Sequence, residues 1–488
     1  MLMQLIGWSI PTLIIVGMAL GVAMAGLVQY RLSARLSPEW RLVVVVLVVA
    51  TGALLSIAFT SRTLDDDKPD AHVVFYSDLA GGFAASRWMS LFLVATSLVE
   101  VARGWAADRL RGQADPARPI LFSMLAYNLG TMLVQGVASD HPEFDPHNLY
   151  VPIMLSAVYY QRPASLQPVV AAARLAVLTL MLCSLAGIWL RPDFVIHRPE
   201  PGLIPGIDWR LYGFASHANA LGPIALLAIL IELLSPARWR PLRWLALSSG
   251  TAVLVLAQSK TTWAAVPLML LLVWLPLSLL RAALGQDRER NFRRVVWTLF
   301  AVILTVVLLS CGAVAFDVWD AIAARTDLVT LTGRTEIWDI TLRAWRENVL
   351  FGYGAGIWGY DRQLQFHMFH VGHAHNQFVQ TLGESGLVGL ALLLYYLGTL
   401  LLASLRGFVA SRGMVLMLLI LMLAMCMTEA PMHGDGLLSW ATFLQLMLVT
   451  TACWNVRATR AAQALRSAGE RGDVAAQPAP PGLALHGS

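Results

Sequence analysis

Charge is what this chain has least of. Asp, Glu, Lys and Arg supply 13% of its 488 residues, whereas soluble domains carry roughly 25%. That shortfall excludes an ordinary water-soluble globule and, with a hydrophobic share of 57%, makes lipid the expected solvent. Cysteine is nearly as scarce. Cys183, Cys311, Cys426 and Cys453 each sit inside an apolar run, without the spacing of a disulfide framework or a thiolate metal site. Lysine occurs only as Lys68 and Lys260 among 35 basic residues, so arginine carries nearly all the positive charge. The first apolar run has no charged leader, and is expected to be a retained span and not a cleaved signal.

What is present is length without polarity. A span needs about 20 apolar residues, and apolar runs fall at about 5–29, 42–60, 88–102, 120–139, 149–160, 175–190, 218–235, 244–258, 263–280, 295–316, 386–405, 414–430 and 437–455. If each run crosses, the connectors form two alternating sets, and one set holds 23 of the 35 basic residues. By the positive-inside rule that set is cytoplasmic, which puts the N-terminus outside and the C-terminus inside. The expected fold is therefore all-α: a polytopic transmembrane helical bundle of about 12–14 spans over 1–456, followed by a disordered cytoplasmic tail at 457–488.

One external connector, 317–385, is far longer than ordinary connections, and loops of that length are usually functional or disordered. Trp319, Trp338, Trp345 and Trp358 argue against disorder, so this loop is expected to be partly helical and to fold onto the membrane face. From Thr332 the positions of Trp338, Leu342 and Trp345 describe a short amphipathic helix, whose other side carries Arg334, Asp339, Arg343 and Arg346. Those arginines suit either lipid phosphates or an anionic ligand, with Arg334 nearest the helix start. Gly352, Gly354 and Gly356 only superficially resemble a phosphate loop, since no strand precedes them and no Gly-Lys-Ser follows; sharp turning of the backbone explains them better.

His367, His370, His373 and His375 then fall within nine residues, followed by Asn376, Gln380 and Glu384 spaced as a polar stripe on a helix entering lipid. Such a stripe must face protein or a wet cavity. The histidines fit a solvated loop, a zinc site or a general base. The absence of a carboxylate or thiolate in register disfavours zinc, and His375, at the mouth of the stripe, suits removal of a hydroxyl proton. Two more external segments carry chemistry: GFASHANALG, with His217 and Asn219 at a span start, and AQSKTTW, with Lys260 in a tight turn at the lipid boundary. Lys260 fits either a ligand cation or a snorkelling side chain.

In order, GFASHANALG, AQSKTTW, LTGRTEIWD and HAHNQFVQTLGESGLVGL resemble the signature segments of the bacterial O-antigen ligase and polymerase superfamily, over about Gly213 to Leu390. The resemblance implies a metal-independent, cofactor-free glycosyltransferase of the bacterial inner membrane, with the long loop periplasmic. Its partners are an undecaprenyl diphosphate-linked glycan donor, a glycan acceptor and membrane lipids, together with a chain-length regulator or export machinery; nothing points to nucleic acid. By position the family's catalytic His falls on His375 and its diphosphate-binding cations on Arg334 and Lys260. Lys where the superfamily commonly has Arg, and the His-x-Asn at His217 and Asn219, are similar to the exopolysaccharide polymerase branch.

The chemistry expected of these residues is a single inverting displacement. Arg334 and Lys260, with Arg210 as a third cation, neutralise the leaving diphosphate, and His375 takes the proton of the acceptor hydroxyl. His217, Asn219, His373, Asn376 and Gln380 bind or orient substrate, and Glu384 is the second choice of base. A ligase transferring glycan to lipid A core and a lipid-linked glycan flippase are the alternatives, although no internal repeat of the transporter kind is visible.

Overall fold

A computed structural model describes residues 35–60, 62, 64, 84–112, 114–198, 204, 207–270, 332–368, 371–408, 410–433 and 436–470. The runs expected at 5–29 and 295–316 lie outside the described residues, as do His370, the first part of the long loop and the tail beyond 470.

The described chain is all-α apart from one two-residue ladder, Ile196–His197 against Arg210–Leu211. Its long helices are α1 (Pro38–Ala58), α2 (Ala84–Arg111), α3 (Arg118–Val137), α4 (Tyr150–Gln161), α5 (Gln167–Leu190), α6 (Ala218–Leu234) and α7 (Arg240–Ala257). A further helix, α8, opens at Lys260 and is described to 270. After the long loop's α9 (Thr332–Glu347) and α10 (Tyr360–Phe366) come α11 (Gln377–Arg406), α12 (Met414–Cys426) and α13 (Trp440–Glu470). Proline opens α1, α3, α5 and α7, where its missing N–H costs nothing because the first turn has no intrahelical partner to offer.

Five of the described helices, in α1, α2, α3, α5 and α11, are long and apolar enough to cross a membrane, and α6 and α12 are shorter apolar helices. This is a membrane protein with a polytopic helical fold. α4 has 12 residues, short for a crossing, but it is buried within the bundle, with Met154, Leu155 and Tyr159 at 0–1% exposure.

Connectors meet at two ends. At one, Asp140 and His141 donate their N–H groups to Gly352 and Tyr353 carbonyls, and Met432 donates to Gln377 Oε1. At the other, Arg457 and Arg162 converge on Asp115, and Ala164 N–H donates to Glu39. Arg457 belongs to α13, which continues to Glu470. The expectation of a disordered tail from 457 therefore fails over 457–470: an ion pair to a buried carboxylate and an unbroken helix hold that stretch.

The long loop has its own small core of Ile337, Ile340, Ala344, Ile357, Trp358, Val371 and Ala374. Each large apolar side chain buried there stabilises it by roughly 1.5–3 kcal/mol, which is why it folds instead of floating. The buried face of α9 is Ile337, Ile340, Thr341 and Ala344, so the expected face of Trp338, Leu342 and Trp345 is displaced around the helix and only half-buried. Trp338 is held instead by donating its indole N–H to Ala374 O at 2.8 Å.

Where the loop meets α11 the helix breaks. Gly386 takes φ 59°, ψ −156°, and the N–H groups freed at Leu387 and Val388 donate to Val349 and Leu350 carbonyls. Tyr353 N–H in turn reaches Gly383 O at 2.7 Å. Gly352, at φ +74° and packed on Gly383 O, makes the close approach that a Cβ would block. The glycines thus dock the loop on a kinked helix, in keeping with their reading as turning points.

Candidate active site

Three pieces of chain separated in sequence converge on one carboxylate. Glu429 lies just past the end of α12, with 12% of its side chain exposed. His375 Nδ1 is 3.2 Å from Glu429 Oε2, and His373 Nε2 is 3.5 Å from the same oxygen. His217 Nδ1 lies 3.9 Å from Oε1, to which Asn219 Nδ2 donates at 3.3 Å.

Local structure fixes each imidazole. His217 is the N-cap of α6: its Nδ1 accepts the Asn219 N–H at 3.1 Å, so the ring proton sits on Nε2, which faces Tyr212 Oη at 3.1 Å. His373 Nδ1 accepts the His375 N–H at 3.0 Å, leaving Nε2–H toward Glu429. His375 itself has φ +47°, an uncommon left-handed conformation for a non-glycine residue. It is held from both sides. Ala374 gives its N–H to Gln380 Oε1 and takes the Trp338 indole on its carbonyl, while Asn376 Oδ1 caps α11 through the Phe378 and Val379 N–H groups. Strain maintained in this way is typical of residues positioned for chemistry.

The electrostatics set one anion beside two imidazoles held neutral, His217 and His373. Burial pushes His217 and His373 down to about 3, with the guanidinium of Arg334 acting in the same direction on both. Burial alone would raise Glu429, but the hydrogen bond from His375 and the electrostatic pull of that ring hold its carboxyl well below the usual carboxylate range. With Glu429 ionised and 3.2 Å away, the His375 proton belongs on Nδ1, so Nε2 keeps the lone pair a base needs.

Arg210 and Lys260 border this centre. Arg210 Nη2 donates to Asn219 Oδ1 at 3.2 Å and Nε to Ala257 O. Ser259 Oγ also donates to Asn219 Oδ1, and the next residue, Lys260, is exposed at the start of α8. Arg334 is half-buried in the first turn of α9. Arg343, by contrast, is exposed and paired with Asp339 at 2.8 Å.

The structure therefore brings His217, Asn219, Arg210, His373 and His375 together and places Arg334 within electrostatic reach. It separates the polar stripe from them. Asn376 is a buried helix cap, and Gln380 passes from Ala374 to Glu384, whose carboxylate faces His433 Nδ1 at 2.9 Å and Gln135 Nε2 at 3.2 Å. His367 caps α10 and is exposed. Glu429, His433, Tyr212 and Arg62 escaped the sequence reading. A lone carboxylate closing an apolar run was the available signal for Glu429, because an ionisable group there must find a partner.

Arg62 is a support of this centre. Only 5% exposed, its guanidinium donates to the carbonyls of Phe194, Gly213 and Ala215 and lies 5.9 Å from the Tyr212 ring centroid. It thereby pins the loop that delivers Tyr212 and His217; burial pushes its pKa down to about 10.

A metal is also geometrically admissible. One donor atom each from His373, His375 and Glu429 lie within 4.8 Å of one another. The carboxylate missing from the sequence pattern is thus supplied from elsewhere in the chain, although both nearby guanidiniums oppose an additional cation.

Residues 244–394 match the family described as O-antigen ligase. Over that stretch the chain is similar to the O-antigen ligase and polymerase superfamily, whose members are glycosyltransferase-like enzymes. No curated protein matches the sequence. The matched stretch contains Lys260, Arg334 and His375; Arg210, His217 and Glu429 lie outside it and join the same centre through the fold.

Proposed function

We propose that this protein is a polymerase of undecaprenyl diphosphate-linked oligosaccharide units, working at the periplasmic face of a bacterial inner membrane with its N-terminus outside and C-terminus inside. The observation that carries this reading is the pairing of His375 with Glu429 beside Arg210 and Arg334: a base and a set of cations at one end of a lipid-embedded bundle.

The derived reaction is one displacement. The acceptor hydroxyl attacks the anomeric carbon of the donor as His375 Nε2 takes its proton, and Glu429 stabilises the imidazolium that forms. The bond to the diphosphate oxygen breaks with its electron pair leaving on the diphosphate. Arg334, Arg210 and Lys260 neutralise that charge, the kind of stabilisation that is often the largest catalytic contribution. Attack from the face opposite the leaving group inverts the anomeric centre, and the scheme needs no metal.

The test is deletion of the gene, analysis of surface and lipid-linked glycans, and complementation with His375→Ala and Arg334→Ala. A polymerase predicts single lipid-linked units accumulating in the deletion and in both variants. Long unattached chains would instead assign the ligase reaction, and wild-type glycans in both variants would contradict the roles given to these residues.

A further inference from the structure

A second polar centre lies behind the first. Between α3, α11 and the turn joining α12 to α13 is an open cleft lined by Asn128, Thr131, Gln135, Glu384, His433 and Gln445 among others. Resting on the transferase reading above, we propose that this cleft holds the acceptor glycan, separately from the cationic pocket that holds the donor diphosphate.

The chemistry of the lining selects the ligand. Among the described residues no lysine or arginine lines the cleft, so it offers nothing to neutralise a diphosphate. What it offers is amides, hydroxyls, one carboxylate and the imidazoles of His147 and His433, the groups that exchange hydrogen bonds with sugar hydroxyls, together with the Tyr127 ring for their C–H faces. The polar groups are arranged for it. Asn128, Thr131 and Gln135 recur at i, i+3, i+7 on α3, an otherwise apolar spanning helix, and so share one face. A polar face at that depth requires a wet or protein-lined space.

Thr131 already spends its hydroxyl proton on Tyr127 O and Asn128 one of its two amide hydrogens on Met124 O, which leaves Thr131 Oγ and Asn128 Oδ1 as acceptors and one Asn128 N–H as a donor. Glu384 is fixed by Gln380 at 2.8 Å, His433 at 2.9 Å and Gln135 at 3.2 Å.

The cleft is also tied to the reaction centre. Gln380 bonds the peptide next to His375 at one end and Glu384 at the other. The turn after α12 carries Glu429 into the first centre and His433 into the second, anchored between them by Met432 N–H on Gln377 Oε1 at 2.7 Å. The same side chain and the same turn thus hold both the cleft and the peptide that carries His375.

The test uses the full-length protein in phospholipid nanodiscs and two probes. Undecaprenyl diphosphate reports the donor site by direct binding. Oligosaccharide released by mild acid from the lipid-linked units of a deletion strain reports the acceptor site, by competing for transfer. Thr131→Val, Asn128→Ala and Gln445→Ala should raise the concentration of free oligosaccharide needed for half-maximal competition, on the order of tenfold for each hydrogen bond of about 1.4 kcal/mol lost. Their undecaprenyl diphosphate affinity should match wild type.

Unchanged competition in all three variants, with transfer running, overturns the acceptor assignment and leaves the transferase reading standing. Weakened undecaprenyl diphosphate binding with unchanged competition also overturns it, by making the cleft a donor site. A wild-type protein that neither binds undecaprenyl diphosphate nor transfers sugar removes both.

Discussion

Glu429 Oε2 stands 3.2 Å from His375 Nδ1, across 54 positions of sequence and between two different connectors of the bundle. This contact decides which ring nitrogen is basic. Losing His375 to Ala should lower the transfer rate by about 10²–10⁴-fold, the usual range for a general base. Glu429→Gln keeps a polar side chain there but removes the charge, and should cost tenfold or more, about 1.4 kcal/mol, expressed in kcat more than in KM. Steady-state transfer rates decide it: a Glu429→Gln enzyme at full speed would end the tautomer argument.

Removing Arg62 should be costly without touching substrate. Arg62→Leu leaves the buried carbonyls of Phe194, Gly213 and Ala215 without their donor. At about 1–3 kcal/mol for each unsatisfied group, a loss of roughly 3 kcal/mol or more is expected. Thermal unfolding of the purified protein measures it, and a melting point equal to wild type would show that the loop holding His217 is supported by other contacts.

Gly386→Ala should be among the most damaging substitutions in α11. A Cβ there meets Leu350 O at 2.3 Å, and the backbone sits at φ +59°. Backbone strain alone costs on the order of 1–3 kcal/mol before the collision with a carbonyl is counted. Loss of a monodisperse peak on size-exclusion chromatography is the expected outcome, and a normal peak with normal activity would show that the loop can redock.

Acid should destabilise the fold. Burial takes His217 and His373 down to about 3 in the folded chain, from about 6.5 for a free imidazole. Between those values the unfolded chain binds protons that the folded one refuses, so stability is lost as pH drops below about 6.5. Glu429, held low in the fold, contributes in the same direction once the pH falls into the range where a free carboxylate protonates. The melting temperature should therefore fall from about pH 7 to about pH 5, with a shallower slope in His217→Asn; a flat profile in wild type would mean these rings are not buried in neutral form.

Chelation separates base from metal. If His375 acts as a base, dialysis against EDTA leaves transfer unchanged, since Arg334 and Arg210 supply the positive charge. Loss of activity that zinc or another divalent ion restores would reassign His373, His375 and Glu429 as ligands.

Helices were the legible part of this protein. Long apolar runs such as 42–60 and 120–139 declare themselves by composition, and α1 and α3 match them closely. Motifs flanking a helix start were legible as well, because the short-range geometry that makes His217 an N-cap also brings Asn219 beside it. Partnerships across the bundle were hidden. Nothing adjacent to Glu429 in sequence says that it faces three histidines, and the period that put Gln380 and Glu384 on one face with Asn376 could not say which neighbour that face would meet. The face of α9 was misplaced for a related reason: Trp338 and Trp345 outweigh isoleucine by size, yet a tightly packed loop core selected Ile337 and Ile340.

The short turn that bears both Glu429 and His433 acts as a ruler. Inserting or deleting one residue inside it must carry one side chain out of register with its partner while the other stays in place. Sequence drift elsewhere in the connectors can be absorbed by loop length, but this stretch has no slack to lend, and related chains that conserve both partnerships should conserve its length as well.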